Sequence, residues 1–158
     1  MFDLNQIQKH QQEMNEQFET LKKEYQEKSK KLFIEAFKQF FEQVPSIKAV
    51  TWQQYTPYFN DGEACVFGVG EKYFLTQKGL EDFMDEGGSH VEEYVAGEQS
   101  YYESQYKEGV TPEHFEAMKT FEKFLCSIDD EVYLHMFDDH SYVVATKDGF
   151  EVNSFQHD

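Results

Sequence analysis

The apolar residues of the first 44 positions follow two successive patterns. From Leu4 the spacing alternates between three and four: Leu4, Ile7, Gln11, Met14, Phe18, Leu21, Tyr25, Lys28, Leu32. That is a heptad seam with Gln11 and Lys28 as polar interruptions. From Leu32 the stripe broadens to Leu32, Phe33, Ala36, Phe37, Phe40, Phe41 and Val44, the width of a helix buried against a domain. No Gly or Pro occurs in residues 3–44, and Pro45 ends the run. The spacing predicts one long helix, on the order of 60 Å if continuous at ~1.5 Å per residue. A domain built from the rest of the chain is only about 30–40 Å across. The first half therefore overhangs, or folds back at "EKSKK" (27–31) onto its own domain. An overhanging arm needs cover for Leu4, Ile7, Met14, Phe18, Leu21 and Tyr25. Self-association as a coiled coil would provide it, and so would docking on another protein.

Period-two, β-branched and aromatic runs follow the helix. Residues 47–55, 65–69 ("CVFGV") and 72–76 ("KYFLT") read as strands, with Asn60, Asp61 and Gly62 at the turn between the first two. Residues 80–110 break the pattern with Gly87, Gly88, Gly97, Gly109 and scattered tyrosines, and short helices are expected at 78–86 and 89–105. "TPEHFEAMKTFEKFLCSI" (111–128) is a cleaner, second amphipathic helix at 112–128. Thr111 is its N-cap, Pro112 its first residue, and Phe115, Met118, Phe121, Phe124, Leu125 and Ile128 its buried side. The ending reads as a β-meander of 131–137, 142–146 and 150–155, with Lys147-Asp148-Gly149 as a hairpin turn. Grouped strands with few alternating helices argue for an α+β fold with an antiparallel sheet of about five to six strands. The expected organisation is a heptad arm, 1–31, and one α+β domain, 32–158, carrying an irregular acidic segment at 80–110.

Composition narrows the function. The chain has 158 residues, 16 Phe and 10 Tyr, too aromatic for a disordered protein despite a net charge of −17. No apolar run approaches the roughly 20 residues needed to span a bilayer, and "MFDLNQIQKHQQ" has no secretory pattern, so a cytoplasmic protein is expected. All 14 basic residues are Lys. Without the bidentate fork of Arg, and at this charge, direct nucleic-acid binding and an anionic membrane surface are both disfavoured. Residues 1–45 carry eight acids and seven lysines, whereas 46–158 carry 23 acids and seven lysines. Residues 81–116 alone hold eleven acids against Lys107. Cys65 and Cys126 read as two reduced, buried thiols.

Chemistry-bearing constellations are few. "TWQQYTPYFNDGE" (51–63) offers Trp52, Tyr55, Tyr58 and Phe59 beside Asp61 and Glu63, either as an aromatic platform or as ordinary packing across a hairpin. Strand alternation puts Trp52 and Tyr55 on opposite faces, so Trp52 is assigned to the core. His135, Asp138, Asp139, His140, His157 and Asp158 lie in what read as adjacent hairpins, and a metal-dependent hydrolase is one alternative. The same residues make ordinary polar turns, so no metal, cofactor or catalytic residue is assigned. "WQQYTPYFNDGEACVFGV" (52–69) and the ending "TKDGFEVNSFQHD" (146–158) resemble uncharacterised small bacterial and bacteriophage proteins. The resemblance covers roughly 33–76 and the C-terminal strands, not the heptad arm. It implies a phage or bacterial accessory protein, acting in the host cytoplasm if phage-encoded, and carries over no catalytic residue.

The expectation from the sequence is a non-catalytic acidic interaction protein that binds and inhibits a basic host protein, nucleic-acid-binding proteins included. Carboxylates on a rigid scaffold can imitate phosphates and speed encounter with a basic groove. Asp85, Glu86, Glu92, Glu93, Glu98 and Glu103 are the expected contacts, with Tyr101, Tyr102 and Tyr106 as apolar anchors. A homodimer formed through the arm is expected alongside. The alternative is a structural or assembly protein in which the arm dimerises and the head is passive.

Overall fold

The computed structural model describes residues 3–58, 62, 64–85 and 111–156. The element order is α1 (Leu4–Gln43), β1 (Ala49–Tyr55), β2 (Gly68–Val69), β3 (Tyr73–Leu75), α2 (Gln77–Asp85), α3 (Pro112–Ser127), α4 (Asp130–Phe137), β4 (Ser141–Thr146) and β5 (Gly149–Ser154). The class is α+β, as the grouping of strands predicts.

α1 is a single 40-residue helix. Asp3 caps it by accepting from the Asn5 N–H at 3.0 Å. It passes through 27–31 without a break, so the fold-back weighed for "EKSKK" does not occur. Glu, Lys and Ser in that stretch stop no helix, and nothing there supplies the turn that a reversal requires.

β1 lies at the centre of the sheet, in the order β2-β1-β4-β5, with β3 also pairing β1. All pairings are antiparallel. β4 and β5 form a hairpin whose turn, Lys147-Asp148, follows the predicted chemistry. Gly149 closes it at a φ of 133°, where a side chain would be strained. Gly62 likewise adopts a positive φ of 93° in the β1–β2 connection.

One face of the sheet meets α1, α3 and α4. Val50, Trp52, Val143 and Ala145 pack there against Phe33, Phe37, Phe40, Phe115, Phe121, Tyr133 and Phe137. The other face is covered in part by α2, where Ala49, Leu75 and Val144 meet Phe83. α3 begins at the expected cap: the Thr111 hydroxyl accepts from His114 N–H at 3.1 Å.

Two expectations are corrected. Residues 131–137 are not a strand. They form α4, because Asp129 caps it by accepting from Glu131 N–H at 2.9 Å and Asp130 and Glu131 favour its positive end. Val132, Tyr133 and Phe137 then share one buried side, whereas a strand would have split Val132 and Tyr133 between two faces. The C-terminal strands are thus a two-stranded hairpin, not a three-stranded meander. "CVFGV" contributes only Gly68–Val69 to the sheet. The expected helix at 78–86 is α2; that at 89–105 lies outside the described residues.

Candidate interaction surfaces

The clearest surface is the seam of α1. Leu4, Ile7, Met14, Phe18, Leu21 and Tyr25 are all solvent-facing, with between 47% and 64% of each residue exposed. Single exposed apolar residues are ordinary, but six in heptad register along one helix are an apolar strip, interrupted only at Gln11. Leu32, read as the start of the buried stripe, is exposed and extends the seam instead.

The stripe that faces the head begins earlier than its apolar residues. Lys22, Gln26, Ser29 and Lys30 are partly covered, and Phe33, Phe37, Phe40 and Phe41 complete the row. Lys22 reaches Glu131 at the start of α4, with Nζ 3.9 Å from Oε2. Lys22, Gln26, Ser29 and Phe33 each follow a seam residue (Leu21, Tyr25, Lys28, Leu32) by one position. The two stripes are therefore about 100° apart around the helix. One face is covered by the head, and its neighbour is open along the same length.

The acidic surface is described only at its ends. Asp85 is exposed at the last residue of α2. Glu81, Glu113 and Glu116 are exposed as well. Glu86, Glu92, Glu93, Glu98, Tyr101, Tyr102, Glu103 and Tyr106 lie outside the described residues.

The aromatic stretch resolves into packing. Trp52 is 1% exposed. Its indole N–H donates to Gln54 Oε1 at 3.0 Å, and Gln54 Nε2 donates to the carbonyls of Tyr133 at 3.0 Å and Asp138 at 2.7 Å. Gln54 itself is fully buried, so this network joins the central strand to α4. Tyr55 packs on Phe155, and Tyr58 stacks on His140 at 4.7 Å between ring centroids. Among the described residues, Trp52, Tyr55 and Tyr58 thus share no platform; Phe59, Asp61 and Glu63 lie outside the described residues.

The His/Asp group is described only at His135, Asp138, Asp139 and His140; His157 and Asp158 lie outside the described residues. His135 is exposed on α4, while Asp138, Asp139 and His140 form the bend that follows. Asp139 accepts from the Thr56 N–H at 2.7 Å, the Thr56 hydroxyl at 2.6 Å and the His140 N–H at 2.8 Å. Desolvation raises its pKa, but these bonds and the His140 charge outweigh that and hold the carboxyl below its ordinary value of 3.8. Among the described residues, no group of three or more His, Cys, Asp or Glu is placed to hold a metal.

Two groups were not singled out by sequence. Lys72 is half-buried with its ammonium 4.9 Å from the Tyr133 ring centroid. Burial lowers its pKa, and Cys126, Asp130 and Glu122 oppose that shift. Tyr133, buried beneath it, donates to the Leu125 carbonyl at 2.8 Å, and burial pushes its phenol upward. The misassigned strand concealed both, since Tyr133 meets Lys72 only from a helix. The cysteines also differ from expectation. Cys126 is exposed on α3, because that helix turns Phe121 and Leu125 inward instead, and Cys65 is half-exposed before β2.

A cleft of about 470 Å³ opens between the end of α1, α2 and the β4–β5 turn. Phe41, Ile47 and Leu80 give it apolar wall, and Lys48, Lys147 and Asp148 supply its charges. Among the described residues, no histidine or cysteine lines it.

Comparison with protein-family models, curated proteins and solved structures returned no match to the chain. Among the described residues, no helix is long and apolar enough to cross a membrane.

Proposed function

We propose that the protein is a non-catalytic interaction protein: it self-associates through the α1 seam and presents acidic heads to a protein with a basic surface. The observation that carries the first half is the exposed strip from Leu4 to Tyr25 on an unbroken helix. Burying such a strip between two helices removes apolar area from water at about 25 cal/mol per Å². Assembly uses the face of α1 that the head leaves open.

The second half is supported by a net charge of −17 without arginine, and by eleven carboxylates in 81–116. A basic surface that ordinarily holds nucleic acid fits that charge, and occupying it would inhibit its owner. The resemblance of 52–69 and 146–158 to small bacterial and phage proteins supports an accessory role in a bacterial cytoplasm. Should only the arm matter, the protein is a structural dimer with a passive head.

Sedimentation of the full chain and of a Phe18→Glu, Leu21→Glu variant tests the first half. The parent should sediment as a dimer and the variant as a folded monomer; a monomeric parent overturns it. For the second half, the full chain is immobilised and probed with a lysine-rich DNA-binding protein. Retention should be lost on raising salt and on converting Glu92, Glu93, Glu98 and Glu103 to Gln. Retention indifferent to both removes the acidic-face reading.

A further inference from the structure

The seam carries information about its own partner. Assigning Leu4 to heptad position a places Leu4, Gln11, Phe18, Tyr25 and Leu32 at a, and Ile7, Met14, Leu21 and Lys28 at d. In a parallel dimer each residue faces its own copy. Lys28 would then face Lys28 of the second copy at a d layer. Lysine has three donors and no acceptor, so neither ammonium could satisfy the other, and the like charges would repel inside an apolar seam.

Antiparallel packing instead sets a against d. In one register Ile7 lies opposite Leu32, Gln11 opposite Lys28, Met14 opposite Tyr25, and Phe18 opposite Leu21. The two polar interruptions meet each other, the layers Ile7–Leu32, Met14–Tyr25 and Phe18–Leu21 are apolar, and Leu4 lies opposite Glu35 at each end of the seam. A shift by one heptad destroys this: Leu4 would face Lys28 and Gln11 would face Leu21. The side chains suit the first register. Gln11 Nε2 donates to Asn15 Oδ1 at 3.1 Å, which leaves the Gln11 carbonyl oxygen to accept. Lys28 is exposed and brings only donors. Two-fold symmetry makes the Gln11–Lys28 contact twice.

The head does not obstruct this. Lys22, Gln26, Ser29 and Phe33 face it, about 100° from the seam. A second helix can run beside α1 as far as Leu32 without displacing the Lys22–Glu131 contact.

We infer that the α1 seam is occupied by a second copy of this chain running antiparallel, with Gln11 of each copy paired to Lys28 of the other and the two heads at opposite ends of the rod. The inference rests on the self-association proposed above and adds its orientation and register.

Gln11→Glu tests it by sign. Gln11 is exposed, so the fold of the single chain is untouched. In the antiparallel register the substitution creates two Glu–Lys pairs. Two such contacts should tighten the dimer about fivefold at low salt, a gain that shrinks as salt rises. In a parallel dimer it sets two glutamates side by side and loosens the assembly. Sedimentation equilibrium of full-length parent and variant reads the difference. A tighter, more salt-sensitive dimer supports the inference. A looser or unchanged dimer overturns the orientation or the register and leaves self-association standing. A parent that is monomeric at every concentration overturns both.

A second readout uses disulfides. Chains carrying Gln11→Cys or Lys28→Cys are prepared with Cys65→Ser and Cys126→Ser, mixed, and oxidised. Cross-linking should occur between the two kinds of chain and not within the Gln11→Cys kind alone. Efficient cross-linking within that kind alone establishes parallel packing.

Discussion

Gln54 shows how much one side chain can hold. It has no exposed surface and joins Trp52 to two carbonyls at and just beyond α4. Gln54→Leu keeps the volume but strands the indole N–H in a low-dielectric core. Chemical denaturation should show a loss of about 2–3 kcal/mol, since a buried group without its partner costs its full desolvation. Asp139 predicts an acid response. Its carboxyl lies below 3.8, so it contributes stability above that value and loses it as pH falls through the lower folded value. Asp139→Asn should flatten the acid limb of a stability-versus-pH curve while costing about 1–2 kcal/mol near neutrality. Tyr133 acts at the other end. The unfolded phenol ionises near 10.0 while the folded one stays neutral, so stability should fall as pH rises beyond that point. Tyr133→Phe should remove that part of the alkaline decline, measured by the same denaturation series.

At the scale of elements, α1 holds the sharpest contrast. Phe33 touches the rings of Phe37, Trp52, Tyr133, Phe137 and Phe150, whereas Phe18 stands in solvent. Phe33→Ala should destabilise the fold by about 3–5 kcal/mol. Phe18→Ala should leave the unfolding midpoint of the isolated monomer unchanged and weaken only assembly. The sequence reveals this helix well, because a heptad and a wider stripe have different periods. It conceals where one ends: Leu32 satisfies both patterns, and only the direction of Phe33 toward the sheet decides. α3 and the β4–β5 hairpin were legible through Thr111, Pro112 and Gly149, whose chemistry is local. α4 was not, although Asp129-Asp130-Glu131 is a helix start. A mostly apolar run of seven residues that includes Val132, Tyr133 and Phe137 satisfies strand preference equally well until its tertiary neighbours choose a face.

For the whole molecule, charge was legible and its placement was not. Net charge and the crowding of acids into 81–116 follow from counting. Which side of the fold those acids occupy depends on residues beyond Asp85, and counting gives no direction. The buried aromatic mass explains how such a charge is tolerated. Trp52, Tyr133 and a cluster of Phe side chains form one continuous core, and none of the described carboxylates is buried in it, so water and salt screen them.

Because the two stripes of α1 point in different directions, folding and pairing draw on separate sets of atoms. The hydrophobic interior is complete within one chain, so a lone copy should remain native when diluted below its association constant. The near-ultraviolet dichroism of Trp52 should then be indifferent to concentration across a range in which sedimentation changes. Natural variation along the strip from Leu4 to Tyr25 could switch the protein between solitary and paired states at little cost to the interior.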